Sequence, residues 1–145
     1  MNKSKGFAII ELIVVIAIIA VLATIVSMTV MNYINKGKDS AIKGNLATIT
    51  IKGTVYFTTN GNYTNFCNDS TVLSAINSAK LAYANPVVDS TDCASGTVGG
   101  IAVWAACSRL KSANAYFCVD YTGAKKTIAT AASCISTTWN RTSCP

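Results

Sequence analysis

The sequence predicts an α+β protein in which one long amino-terminal helix, apolar all round and then amphipathic, packs on a small antiparallel β-sheet head. Three observations carry that expectation. Residues Phe7 to Met31 read FAIIELIVVIAIIAVLATIVSMTVM, twenty-five residues whose only charge is Glu11. Ile101 to Arg109 and Ala115 to Tyr121 are short apolar and aromatic runs on either side of a polar break, the pattern of two strands joined by a short loop. Six cysteines follow the helical region with no C-x-x-C among them, which reads as a disulfide framework.

Composition limits the chemistry. The length of 145 residues suits one modest domain. With 51% apolar and 12% charged residues and a mean hydropathy of +0.41, the chain is too apolar to be disordered. It contains no histidine, which excludes His-dependent triads and His-ligated metal sites. There is no phosphate-binding glycine loop, and the head carboxylates are only Asp69, Asp89, Asp92 and Asp120. No catalytic set is present, so the chain is not expected to be an enzyme.

At about 1.5 Å per residue the apolar run is roughly 37 Å long, against a hydrocarbon core of about 30 Å. A helix apolar on every side inside a soluble protein needs more surrounding chain than the remaining residues supply. The run also exceeds the apolar core of a cleaved secretory signal. Lys3 and Lys5 precede it without an acidic residue, so the amino end stays in the cytoplasm and the rest is sent outward. Glu11 costs about 2.5 to 3.5 kcal/mol near mid-helix in a bilayer. Either it lies shallow enough to reach the headgroups, or it is paired with a cation from another molecule, since the run itself holds none.

The string Lys5-Gly6-Phe7, with Glu11 fifth after Gly6 inside an unbroken apolar helix, resembles the class III signal of type IV pilins and their pseudopilin relatives. The resemblance covers about the first thirty residues closely. It implies a pilin fold and cleavage by a prepilin peptidase between Gly6 and Phe7, with methylation of the Phe7 amino group. It also implies that the Glu11 carboxylate meets the terminal ammonium of a neighbouring subunit in a helical filament. Two charges that are each costly in lipid would then neutralise one another as subunits pack. The implied partners are further copies of the chain, the peptidase, an inner-membrane assembly platform and a motor ATPase. The implied location is the inner or cytoplasmic membrane for the precursor, head outward, and an extracellular pilus once assembled. On this reading residues 1–6 are a leader, 7–32 a transmembrane and filament-core helix, 33–57 its amphipathic continuation, and 58–145 the head. Many pilins carry a proline within the apolar run, whereas Pro86 and Pro145 here lie far downstream. Gly37 and the stretch from Thr24 to Thr29 are weaker places to interrupt the helix.

Beyond the membrane run, Ile42, Leu46, Ile49, Gly53, Tyr56 and Phe57 recur at helical spacing, with Lys38, Asp39, Lys43, Asn45 and Lys52 mainly between them. That stripe is expected to hold the head. Asn60-Gly61-Asn62 ends the helix with turn chemistry. A second helix is expected around Val72 to Ala84, stopped by Asn85-Pro86. Val98-Gly99-Gly100 reads as a turn entering the hairpin, and a third strand is expected around Thr127 to Ala132.

A four-residue loop from Lys111 to Asn114 makes Cys107 and Cys118 direct neighbours across the hairpin, within disulfide range. A Cys107–Cys118 bond is therefore expected. The resemblance implies that Cys134 and Cys144 staple a carboxyl-terminal loop, which leaves Cys67 with Cys93.

Pseudopilins resembling this chain often bind Ca2+ in a loop like that of Asp89 and Asp92, but two carboxylates make a minimal site. The expectation is plain solvated residues and no cofactor. Removing Lys3 and Lys5 lowers the formal charge from +6 to +4, so a filament would attract DNA without sequence preference. Tyr63, Phe66, Trp104, Tyr116, Phe117, Tyr121 and Trp139 are expected to serve mostly as core rather than as stacking platforms. Sequons at Asn62, Asn68 and Asn140 arise often by chance in a Thr- and Asn-rich chain. Together these residues point to a pilus subunit. Its rivals are a piston-like pseudopilin of a type II secretion system and a membrane-anchored domain that holds DNA or a surface glycan without polymerising.

Overall fold

A computed structural model describes residues 9–83, 91–129 and 144. Helix α1 runs from Ile9 to Asn60, 52 residues. A short 3-10 turn, Phe66–Asn68, leads into helix α2, Ser70–Tyr83. Strands β1 (Thr91–Val98), β2 (Ile101–Arg109), β3 (Tyr116–Asp120) and β4 (Lys125–Ile128) follow. They form one antiparallel sheet in the order β1-β2-β3-β4. This is the α+β, pilin-like architecture of a long amino-terminal helix and a small disulfide-bonded sheet.

The chain divides into two units, residues 1–34 and residues 35–145. In the first, every described residue from Ile9 to Ile34 is exposed, and α1 is long and apolar enough to cross a membrane. The polar side chains within it are absorbed by the helix itself. Thr24, Ser27 and Thr29 donate their hydroxyls to the carbonyls of Val21, Ala23 and Ile25 at 2.7, 2.8 and 3.1 Å. The helix therefore continues through this stretch, and through Gly37 as well.

In the second unit, Asp39, Ile42, Leu46, Ile49 and Gly53 are the buried positions of α1. Their alternating spacing of three and four keeps them on one face. They form a core with Phe66, Val72, Ile76, Ala79, Trp104, Ala106 and Val119. Two outcomes differ from the sequence expectation. Asp39 lies on this stripe rather than between its members. Phe57 remains 43% exposed and only leans on Tyr63, with ring centroids 5.2 Å apart. Gly61 closes α1 in the left-handed region at φ +69, its N–H donating to the Phe57 carbonyl at 2.8 Å.

The sheet is covered on both faces along β2, where Val103 to Ser108 are all buried. Trp104 and Ala106 face the helices, while Cys107 joins Tyr116, Cys118 and Cys144 in a second cluster. Leu110 N–H donates to the Ala115 carbonyl at 2.8 Å, closing the expected four-residue loop. Gly99 and Gly100, at φ +58 and +82, make the two-residue turn between β1 and β2. Strand β1 was not expected, because TDCASGTV carries no apolar alternation. Strand β4 begins two residues earlier than the expected third strand, and residues 130–132 lie outside the described ones.

Candidate functional site

Glu11 sits in the first turn of α1 as described, on an exposed helix surface beside Ile10, Val14 and Val15. Gly6 and Phe7, the expected cleavage junction, lie outside the described residues.

Three aspartates do the polar work of the second unit, each in a different way. Asp39 accepts hydrogen bonds from the Lys111 N–H, from the Ser112 N–H at 3.1 Å, and from the Ser112 hydroxyl. One side chain on α1 thus satisfies the backbone of the β2–β3 loop. Asp69 caps α2, accepting from the Thr71 N–H at 2.9 Å, and forms an ion pair with Lys52 at 3.2 Å. Burial pushes its pKa upward, but the Lys52 hydrogen bond, the Thr71 amide, the Lys52 charge and the Val72 amide outweigh that. The Asp69 carboxyl is held below its ordinary value.

Asp120 is 1% exposed and serves both its own turn and the distant carboxyl-terminal segment. Its Oδ1 accepts from Thr122 N–H at 2.9 Å, Thr122 Oγ1 at 2.5 Å and Ala124 N–H at 3.3 Å. Its Oδ2 accepts from Cys144 N–H at 2.7 Å. Spacing alone could not reveal these roles, since Asp39 lies between Lys38 and Ser40, and Asp120, at the end of an apolar strand, takes its donors from the following turn and from Cys144. The one available signal was that Asp39 falls three residues before Ile42 on the heptad pattern.

The cysteines correct the sequence reading. The register is as expected, with Cys107 directly opposite Cys118. The bond is not. Cys118 is joined to Cys144, so neither the Cys107–Cys118 bond nor the Cys134–Cys144 staple exists. Cys107 is disulfide-bonded as well, to a partner outside the described residues. Both hairpin sulfurs project from one face of the sheet, where Cys144 is laid against Cys118, and each sulfur makes only one such bond. Cys67 is joined to Cys93 with Cα atoms 5.7 Å apart. That pair agrees with the expectation although the premise used to reach it, a Cys134–Cys144 bond, fails. Cys134 itself is outside the described residues.

Of the calcium candidates, Asp89 lies outside the described residues and Asp92 falls in strand β1. Among the described residues no group of three or more His, Cys, Asp or Glu side chains is placed to hold a metal ion. Of the aromatics, Tyr63, Phe66, Trp104 and Tyr116 are buried, whereas Phe117 and Tyr121 are half-buried. Trp139 and Asn140 lie outside the described residues. Asn62 and Asn68 are exposed.

Residues 1–27 match the prokaryotic N-terminal methylation motif, a class III signal, which is consistent with the type IV pilin and pseudopilin family. The motif and the exposed apolar helix support a pilin- or pseudopilin-like precursor anchored in a membrane. No curated protein and no solved structure is significantly similar to the chain.

Proposed function

We propose that the chain is a structural subunit, not an enzyme, of a type IV pilus-like filament. A prepilin peptidase cleaves it between Gly6 and Phe7 and methylates Phe7. The mature helix then assembles with copies of itself, Glu11 pairing with the terminal ammonium of a neighbour. An inner-membrane assembly platform and a motor ATPase supply the work of extrusion.

The observation that carries this reading is a coincidence within one element. The methylation motif of residues 1–27 overlaps a helix whose apolar residues from Ile9 to Ile34 are all exposed. At about 25 cal/mol per Å² such a surface cannot stay in water. A bilayer covers it in the precursor, and other copies cover it in a fibre. On this reading residues 58–145 form an outward-facing head.

Substituting Glu11→Ala tests the proposal. A subunit that assembles through this carboxylate should still insert in the membrane but lose incorporation into fibres. Wild-type fibre yield from the variant would contradict assembly through this carboxylate, whereas insertion of both wild type and variant with no fibre from either would favour the anchored, non-polymerising rival.

A further inference from the structure

Cys107 and Cys118 are register partners across β2 and β3, yet Cys118 is bonded to Cys144 and Cys107 to a cysteine outside the described residues. We propose that the head matures through a mispaired Cys107–Cys118 intermediate, and that its partner at that stage is a thiol–disulfide isomerase acting on this hairpin. This rests on the outward-facing head proposed above, since disulfides form in oxidising compartments.

Proximity favours the wrong pair on two counts. The hairpin cysteines are eleven residues apart, against 26 for Cys118 and Cys144, and loop-closure entropy alone then favours the shorter loop by roughly fourfold. A hairpin also forms locally in about 1 to 10 μs, and both of its cysteines leave the membrane ahead of Cys144. Once the hairpin bond closes, Cys144 has no sulfur to meet at Cys118, and the Asp120 Oδ2 bond to its N–H is lost with it. Repair must also be early. In the folded head Cys107, Cys118 and Cys144 are 0%, 2% and 6% exposed, beyond the reach of an external thiol.

The exchange balances without an added oxidant. An isomerase thiolate attacks Cys107 Sγ, breaking its bond to Cys118, which leaves as a thiolate. The Cys118 thiolate attacks Cys144 Sγ within the disulfide that Cys144 then holds, forming Cys118–Cys144 and expelling the other sulfur. That thiolate attacks Cys107 Sγ and releases the isomerase thiolate. Two disulfides are present before and after, and the catalytic thiol is regenerated.

The test expresses the full chain in hosts with a disulfide oxidase, with and without a disulfide isomerase. Thiols are alkylated at intervals and disulfide-linked peptides mapped by mass. A Cys107–Cys118 peptide should precede Cys118–Cys144, and without the isomerase the yield of Cys118–Cys144 should fall by at least the roughly fourfold loop-length bias. The Cys107→Ser, Cys134→Ser double variant, which lacks the hairpin competitor for Cys118 and keeps the Cys67–Cys93 pair, should form Cys118–Cys144 equally in both hosts. Equal wild-type yields, or conversion of the hairpin peptide at one rate in both hosts, would overturn the proposal. Fully reduced cysteines in both hosts would overturn the outward placement of the head and this inference together. Loss of fibres with isomerase dependence intact would count against the filament reading alone.

Discussion

Gly53 lies beneath the Trp104 indole so closely that a β-carbon there would come within 2.7 Å of Nε1 and 2.8 Å of two ring carbons. The ring cannot move aside, because it is 1% exposed and packs against Phe66 at a centroid distance of 5.0 Å. A glycine in mid-helix, costing about 1 kcal/mol relative to Ala, is here the condition for seating the largest side chain of the core.

Gly53→Ala should therefore not share the stabilisation expected of Gly44→Ala. At Gly53 an overpacking cost of about 1 to 3 kcal/mol exceeds or offsets the gain in helix propensity. At Gly44 no atom lies within 4 Å of the added carbon, so the full gain of about 1 kcal/mol should appear. Denaturant unfolding of the full chain in detergent, following Trp fluorescence, checks both. A stabilised Gly53→Ala variant would contradict the close packing.

Asp39 links α1 to the β2–β3 loop. Asp39→Ala strands the amides of Lys111 and Ser112 and the Ser112 hydroxyl, and should destabilise the head by about 1 to 3 kcal/mol. Hydrogen exchange at the Lys111 and Ser112 amides should rise while the amides of α2 keep their relative protection.

The Asp69 interactions set a pH dependence. Its folded pKa is depressed below the ordinary value of 3.8, so the folded state binds fewer protons than the unfolded one. The stabilisation is fully present above that ordinary value and is lost as pH falls through the depressed one. Below about pH 4 the wild type should lose stability more steeply than Asp69→Asn. At neutral pH, Asp69→Ala should cost about 1 kcal/mol as a lost helix cap, with the partly exposed Lys52 pair adding little. Parallel slopes for wild type and Asp69→Asn would contradict this.

The long helix, its buried stripe and the hairpin register were legible because each follows from a local rule. Continuous hydropathy gave α1 its first half, the spacing of Ile42, Leu46, Ile49 and Gly53 gave its second, and loop length placed Cys107 opposite Cys118. Strand β1 was hidden because an edge strand buries little and needs no apolar pattern. Asp39 was hidden because a carboxylate joins a buried stripe only when a distant loop brings donors to it. The Cys118–Cys144 bond was hidden for the same reason. Register measures which cysteines are near within the hairpin, whereas the bond depends on where the carboxyl-terminal segment is laid. Tertiary placement of two remote segments decided both.

The junction at Gly6 and Phe7 and the pairing of Glu11 stand or fall on the chemistry of the mature amino terminus. Intact mass of the chain sheared from cells in surface fibres reads this directly. The expected polypeptide begins at Phe7 and carries one added methyl group on its terminal nitrogen. A fibre subunit that retains residues 1–6, or recovery of the chain only as an unprocessed monomer, would contradict it.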